Sequence, residues 1–226
     1  METQGLQRRH RLWPNIVIIK LGTNDTKPQN WNKAGPDFEA DLRALIAHFQ
    51  KQPANPAIYL CLPVPVYQDR WGINEKTVIQ GVIPVIKKVA KDKKLPVIDL
   101  HQALSAKPKM FPDKIHPNAA GAKLMAETIQ AALNKNNIMQ IFFSLLVGVL
   151  AFESIAGQPP PFQLKDGDRV AFLGDTLIER MQEFNHLELR LATAWPQRNI
   201  IFRNIGWSGD TPRGISRAGL SLLQAG

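Results

Sequence analysis

Residues 16–25 read IVIIKLGTND: a short β-rich run, Ile16–Leu21, apolar on both of its alternating faces and stopped by Gly22. A strand with no consistently polar face has protein on both sides of it, the habit of strands inside a parallel sheet. Four further runs of that kind follow: Ile58–Leu62, Val97–Leu100, Val170–Leu173 and Ile200–Ile205. Helical periodicities lie between them. Phe38, Leu42, Leu45, Ile46 and Phe49 share one helix face, and Met125, Ile129 and Leu133 share another. Strands alternating with such helices predict an α/β fold, a three-layer α/β/α sandwich around a five-stranded parallel sheet. Ligands of that architecture bind beyond the carboxyl ends of the strands, so the motifs are to be sought there.

The composition fits. With 226 residues, 44% hydrophobic and 21% charged, the chain is globular, which excludes disorder and fibrous repeats. A single cysteine, Cys61, rules out an intrachain disulfide and a multi-cysteine zinc site. The net charge of +9 sits wholly in residues 1–135, which hold 20 Lys and Arg against 11 Asp and Glu; residues 136–226 hold 8 of each. Its densest group, Lys87, Lys88, Lys91, Lys93 and Lys94, closes a helical stretch and reads as a solvated face. Arginines do not interleave with aromatics as they do on single-strand binders, so no nucleic-acid partner is expected.

One segment departs from the alternating pattern. Ile138–Phe152 reads IMQIFFSLLVGVLAF, shorter than the ~20 residues of a comfortable membrane span. It is followed by the small-residue stretch Ser154-Ile155-Ala156-Gly157 and then by Pro159-Pro160-Pro161. Met139, the apolar run and the small residues together have the shape of a secretory signal peptide, here in mid-chain. A buried core helix and a membrane-associated segment at 138–152 are the other readings. Whichever holds, the segment divides the chain into 1–137, a linker at 138–162, and 163–226.

Four blocks carry the chemistry. Gly22-Thr23-Asn24-Asp25 ends the first strand; its glycine allows a tight turn, and the Asn24 amide can donate to a developing oxyanion, although such strings also serve as plain turns. In Phe111-Pro112-Asp113-Lys114-Ile115-His116-Pro117-Asn118, an Asp three residues before a His can accept the Nδ1 proton and leave Nε2 as a general base. A plain helix N-cap is the alternative. Gly174-Asp175-Thr176 follows the fourth strand and opens a helix pattern that runs through Leu191; Thr176 is the nucleophile candidate, and Asp175 or Thr176 can equally cap that helix. Finally, Gly206-Trp207-Ser208-Gly209-Asp210-Thr211 presents backbone donors suited to an oxyanion hole.

Taken together, these blocks resemble those of the SGNH (GDSL-type) esterases and lipases, over about 1–135 and 163–226. Within that superfamily, 1–135 looks most like bacterial carbohydrate esterases of the sialate O-acetylesterase or acetylxylan esterase kind. The resemblance implies a flavodoxin-like sheet, with Thr176 as nucleophile, Asp113 and His116 as its charge partners, and Asn24 and Gly209 in the oxyanion hole. Two departures stand out. The nucleophile position is Thr rather than Ser, whose extra methyl crowds attack; and the blocks run in permuted order, with Asn24 and Asp113-His116 ahead of Thr176.

The implied chemistry is hydrolysis of an acetyl ester, on carbohydrate, with no metal or organic cofactor. Trp31, Trp71 and Trp207 each follow a strand end and can stack on sugar rings or simply pack. A rival class is a silent protein: a fusion of two esterase halves with a mismatched site, or a carbohydrate-binding module. The parent-like halves imply an extracytoplasmic home, although the usual amino-terminal leader is missing.

Overall fold

A computed structural model describes residues 13–147 and 164–216, with the side chains of 135–147 left aside. In chain order the elements are β1 Ile16–Lys20, α1 Pro28–Ala34, α2 Phe38–Gln50, β2 Ala57–Cys61, α3 Glu75–Thr77, α4 Ile83–Lys93, β3 Val97–Ile98, α5 Leu100–Leu104, α6 Ala119–Val147, β4 Arg169–Gly174, α7 Thr176–Phe184, α8 His186–Ala194 and β5 Ile201–Gly206. All five expected strands form, each within two residues of its expected start, but the third is only Val97–Ile98: Asp99 caps α5, so Leu100, expected in the strand, is the first residue of that helix. One expected helix divides. Asn185 takes a left-handed φ of +52°, which breaks the pattern beyond Thr176 into α7 and α8.

The sheet is parallel throughout and ordered β3-β2-β1-β4-β5. β1 is central: Ile16 to Ile19 pair with Ala57 to Leu60 on one side and with Val170 to Leu173 on the other. Every residue of β1 is buried, which is why its sequence lacks a polar face. Successive side chains leave a strand on opposite faces. Ile16, Ile18, Val170 and Phe172 therefore join Leu104, Met125, Ile129, Leu177 and Leu191 from α5, α6, α7 and α8. Val17, Ile19, Ala171 and Leu173 join Leu42, Leu45, Ile46, Ile86 and Val89 from α2 and α4. These two clusters are the interfaces of a three-layer sandwich. The lysine group on α4 lies outward, with Lys87, Lys88, Lys91 and Lys94 exposed.

Chain progression reverses between β1 and β4: β2 and β3 extend the sheet one way, β4 and β5 the other. Such a switch point opens a crevice at the carboxyl ends of the two strands. Here those ends lead into Gly22–Asp25 and into Gly174–Thr176, so topology alone brings two of the four blocks together. Gly22 makes its turn possible, with φ +111° and no room for a Cβ, which would stand 2.5 Å from Val82.

Helix α6 continues to Val147, into the apolar run expected at 138–152. The side chains of 138–147 and all of 148–163 lie outside the described residues, and with them the signal-like reading. Among the described residues no helix is long and apolar enough to cross a membrane.

Candidate active site

At the head of α7, Asp175 is the N-cap: its Oδ1 accepts from Leu177 N–H at 3.0 Å. Thr176 is thereby left at the first helical position, partly buried, with its hydroxyl free of capping duty. Thr176 Oγ1 instead accepts from Gly209 N–H at 3.2 Å. Gly209 has φ +80°, and a Cβ there would meet Ser216 Oγ at 2.8 Å, so that N–H is presented by a backbone that only glycine adopts easily.

Asp175 is held from below by a residue that the pattern reading passed over. Lys20, the last residue of β1, is fully buried and gives Nζ hydrogen bonds to Asp175 Oδ2 at 2.9 Å, Asp175 Oδ1 at 3.1 Å and Thr23 Oγ1 at 2.8 Å. A buried lysine needs such a set, because an uncompensated charge in the interior is costly. The visible signal was a lysine inside an otherwise apolar strand. Asp25 lies buried in the same region, and its Oδ2 has no hydrogen-bond partner among the described residues. Burial first, and then the nearby Asp175, Asp210 and Asp41 charges, push its carboxyl well above the usual range, against its own backbone hydrogen bond.

Asn24 begins a short 3-10 turn, Asn24–Thr26, and is 4% exposed. Its carbonyl accepts from Asn30 Nδ2 at 2.8 Å. Among the described residues its side-chain amide has no hydrogen-bond partner in the protein, which leaves that donor available.

The Asp113–His116 loop is built around a second pairing. Asp113 Oδ2 lies 2.7 Å from His116 Nδ1, while Oδ1 accepts from the backbone N–H of His116 at 2.7 Å and of Ile115 at 3.0 Å. Partial burial raises the Asp113 carboxyl, but the His116 backbone, the His116 ring and the Ile115 N–H together hold it below the usual range. An ionised carboxylate only accepts, so Nδ1 carries the hydrogen and Nε2 is left as the basic nitrogen. Lys114 takes φ +71°, and its carbonyl accepts from Tyr67 N–H at 3.0 Å. Capping of α6 falls to Asn118, whose Oδ1 accepts from Gly121 N–H at 3.1 Å. The capping and dyad readings of this segment thus occupy different residues.

His116 and Leu177, the neighbour of Thr176, line one shallow recess together with Pro117, Arg180, Met181 and Phe184. The Asp113–His116 loop therefore faces the first turn of α7. Thr176 and His116 make no direct hydrogen bond here: the first is bonded to Gly209 and the second to Asp113. Catalytic hydrogen bonds commonly close only around a bound substrate.

The three tryptophans part company. Trp31 packs against Phe38 with ring centroids 6.0 Å apart, and its indole fills the space beside Gly35 and Gly81. Trp71 is 55% exposed and lies 5.8 Å from the His116 ring; Trp207 is 51% exposed, with its N–H bonded to Gly174 C=O. A second histidine–carboxylate pair, His101 Nε2 to Glu75 Oε1 at 2.8 Å, also holds Val66 N–H through Glu75 Oε2. Burial pushes the Cys61 thiol up to about 12, which makes it a poor nucleophile. Among the described residues, no group of three or more His, Cys, Asp and Glu is arranged to hold a metal ion.

Comparison with known proteins identifies the family. A model of the GDSL-like Lipase/Acylhydrolase family matches residues 2–124, more than half of the chain. An acetylxylan esterase of Xylanibacter ruminicola is 42% identical over 138 residues, covering 53% of this chain and 28% of the relative. The chain thus spans little more than a quarter of that relative's length. No solved structure matches.

Proposed function

We propose that this chain, which belongs to the GDSL-like lipase/acylhydrolase family, hydrolyses carboxylic esters, and specifically acetyl esters carried on carbohydrate. The observation that carries the reading is the pair of half-sites: a Thr176 hydroxyl hydrogen-bonded to a glycine N–H at the head of α7, and, beside Leu177 of the same helix turn, a loop in which Asp113 fixes the His116 tautomer. The 42% identity to an acetylxylan esterase supports the acetyl group and the sugar.

In this mechanism His116 Nε2 takes the proton of Thr176 Oγ1 as that oxygen bonds to the acyl carbon. Negative charge then gathers on the former carbonyl oxygen. Gly209 N–H, the Asn24 amide and the Thr176 N–H at the start of α7 are the donors for it. Collapse breaks the bond to the alcohol, which leaves with the proton from His116. Water attacks the acyl-enzyme by the same route, releasing acetate and restoring Thr176. Trp71 and Trp207, exposed near these groups, are the surfaces offered to the sugar.

A rearranged chain order belongs to the same proposal. Counted from β4, the five strands lie in the sheet as 2-1-3-4-5, the flavodoxin-like order, with the Thr176 and Gly209 blocks after the first two strands. This supports reading 163–226 as an amino half, 1–137 as a carboxyl half, and 138–162 as the junction.

Acetate release from p-nitrophenyl acetate and from acetylated xylo-oligosaccharides tests the activity. The purified chain should act on both and His116→Ala on neither; equal rates for the two proteins would remove His116 from the mechanism.

A further inference from the structure

Outside the sheet, residues 70–73 form a two-residue β-hairpin: Arg70 N–H bonds Ile73 C=O at 3.1 Å and Ile73 N–H bonds Arg70 C=O at 2.9 Å. Its central residues, Trp71 and Gly72, both have positive φ, +53° and +80°, as a type I′ turn requires. Glycine meets that requirement without cost, and asparagine is the usual partner. Tryptophan is a poor occupant, because its Cβ crowds the backbone in the left-handed region. A bulky residue kept in such a conformation points to a role for its side chain.

That side chain neighbours both a cation and the imidazole of the dyad. The Arg70 guanidinium sits 4.5 Å from the indole centroid, and the His116 ring lies 5.8 Å away at a tilt of 41°. The hairpin is tied to two of the blocks at once. Asn74 Nδ2 donates to Thr26 C=O at 2.8 Å, on the turn begun by Asn24, while Arg70 Nη1 reaches Asp113 C=O at 3.5 Å. Tyr67 N–H adds a bond to Lys114 C=O at 3.0 Å. The segment is therefore bonded to both the Asp113–His116 loop and the turn begun by Asn24.

We infer that the Arg70–Ile73 hairpin is a positioning device for the general base: Trp71 is a positioning residue whose indole walls the His116 ring, and Arg70 holds that indole in place. Asp113 alone fixes the tautomer and one nitrogen, yet leaves the imidazole free to swing about the Nδ1 hydrogen bond. The indole removes that swing and keeps Nε2 aimed at the first turn of α7. The kinetic side of this rests on the esterase reading; the restraint on the ring does not.

The test compares Trp71→Gly and Trp71→Phe with the unaltered chain on p-nitrophenyl acetate, which has no sugar to stack. Glycine relieves the backbone, so Trp71→Gly should fold with an undiminished melting temperature while kcat falls about tenfold and KM stays within about twofold, the size of a modest misalignment. Trp71→Phe should recover most of kcat. An unchanged kcat in Trp71→Gly overturns the inference and leaves Trp71 as a sugar contact only. If the unaltered chain hydrolyses nothing, the esterase reading fails and a second readout still decides the inference: the His116 Hε1 resonance should be one sharp line in the unaltered chain and broadened or doubled in Trp71→Gly. A line of the same width in both overturns it.

Discussion

Lys20 Nζ and Asp175 Oδ2 lie 2.9 Å apart, with neither side chain accessible to water, and join the end of β1 to the cap of α7 across 155 residues of sequence. This pair fixes the position of the helix that begins with Thr176. Removing one partner strands the other. Lys20→Met should cost about 3–5 kcal/mol, the usual penalty for leaving a buried charge unpaired. Denaturant unfolding measures it, and a loss below about 1 kcal/mol, the range of an exposed pair, would show that the pair is solvated.

Asp25 works in the opposite sense. Burial, reinforced by Asp175, Asp210 and Asp41, raises its carboxyl above the ordinary 3.8 in the folded chain. Below that ordinary value both states are protonated and the penalty is absent; as pH rises past it, the unfolded chain ionises first and the folded state loses ground. Asp25→Asn removes the loss. The variant should match the unaltered chain near the acid end and exceed it increasingly towards neutrality, read from melting temperatures across the pH range. A stability difference independent of pH would contradict the raised carboxyl.

Much of the architecture is legible in the residues themselves. Ile16–Leu21 and its four counterparts are apolar on both faces because helices cover both faces of the sheet, and the structure bears out all five strands. The Asp113–His116 pairing is legible too, since three residues in one loop suffice to form it. What escapes a linear reading depends on distant partners. Lys20 goes unnoticed inside an apolar strand until Asp175 is seen beside it, and Asn185 breaks a helix pattern that the apolar spacing continues. The hairpin at Arg70–Ile73 is hidden because Trp-Gly is not a turn pair that sequence favours.

On the proposed mechanism Thr176 carries a methyl that a serine nucleophile would lack. Its branch at Cβ restricts χ1 and crowds the approach to an acyl carbon. Thr176→Ser should therefore raise kcat on p-nitrophenyl acetate by about tenfold, on the order of 1.4 kcal/mol of barrier. Thr176→Ala should fall to the background rate. Should Ser and Thr be equal while Ala stays active, the nucleophile lies elsewhere.

Gly209 is constrained twice, by its φ of +80° and by Ser216 Oγ, 2.8 Å from where a Cβ would stand. Gly209→Ala displaces the N–H that meets Thr176 Oγ1. Loss of one oxyanion donor costs about 10²–10³ in kcat. Ester hydrolysis at saturating substrate should show that fall with little change in KM, whereas a rise in KM at constant kcat would assign Gly209 to binding alone.

The most direct measurement is peptide mass spectrometry after treatment with a fluorophosphonate, which bonds only to an activated hydroxyl. Proton transfer from Thr176 to His116 predicts one covalent adduct on Thr176 and its disappearance in His116→Ala. An adduct on Thr176 that forms equally well without His116, or none at all in the unaltered chain, would contradict a catalytic centre shared by the two halves.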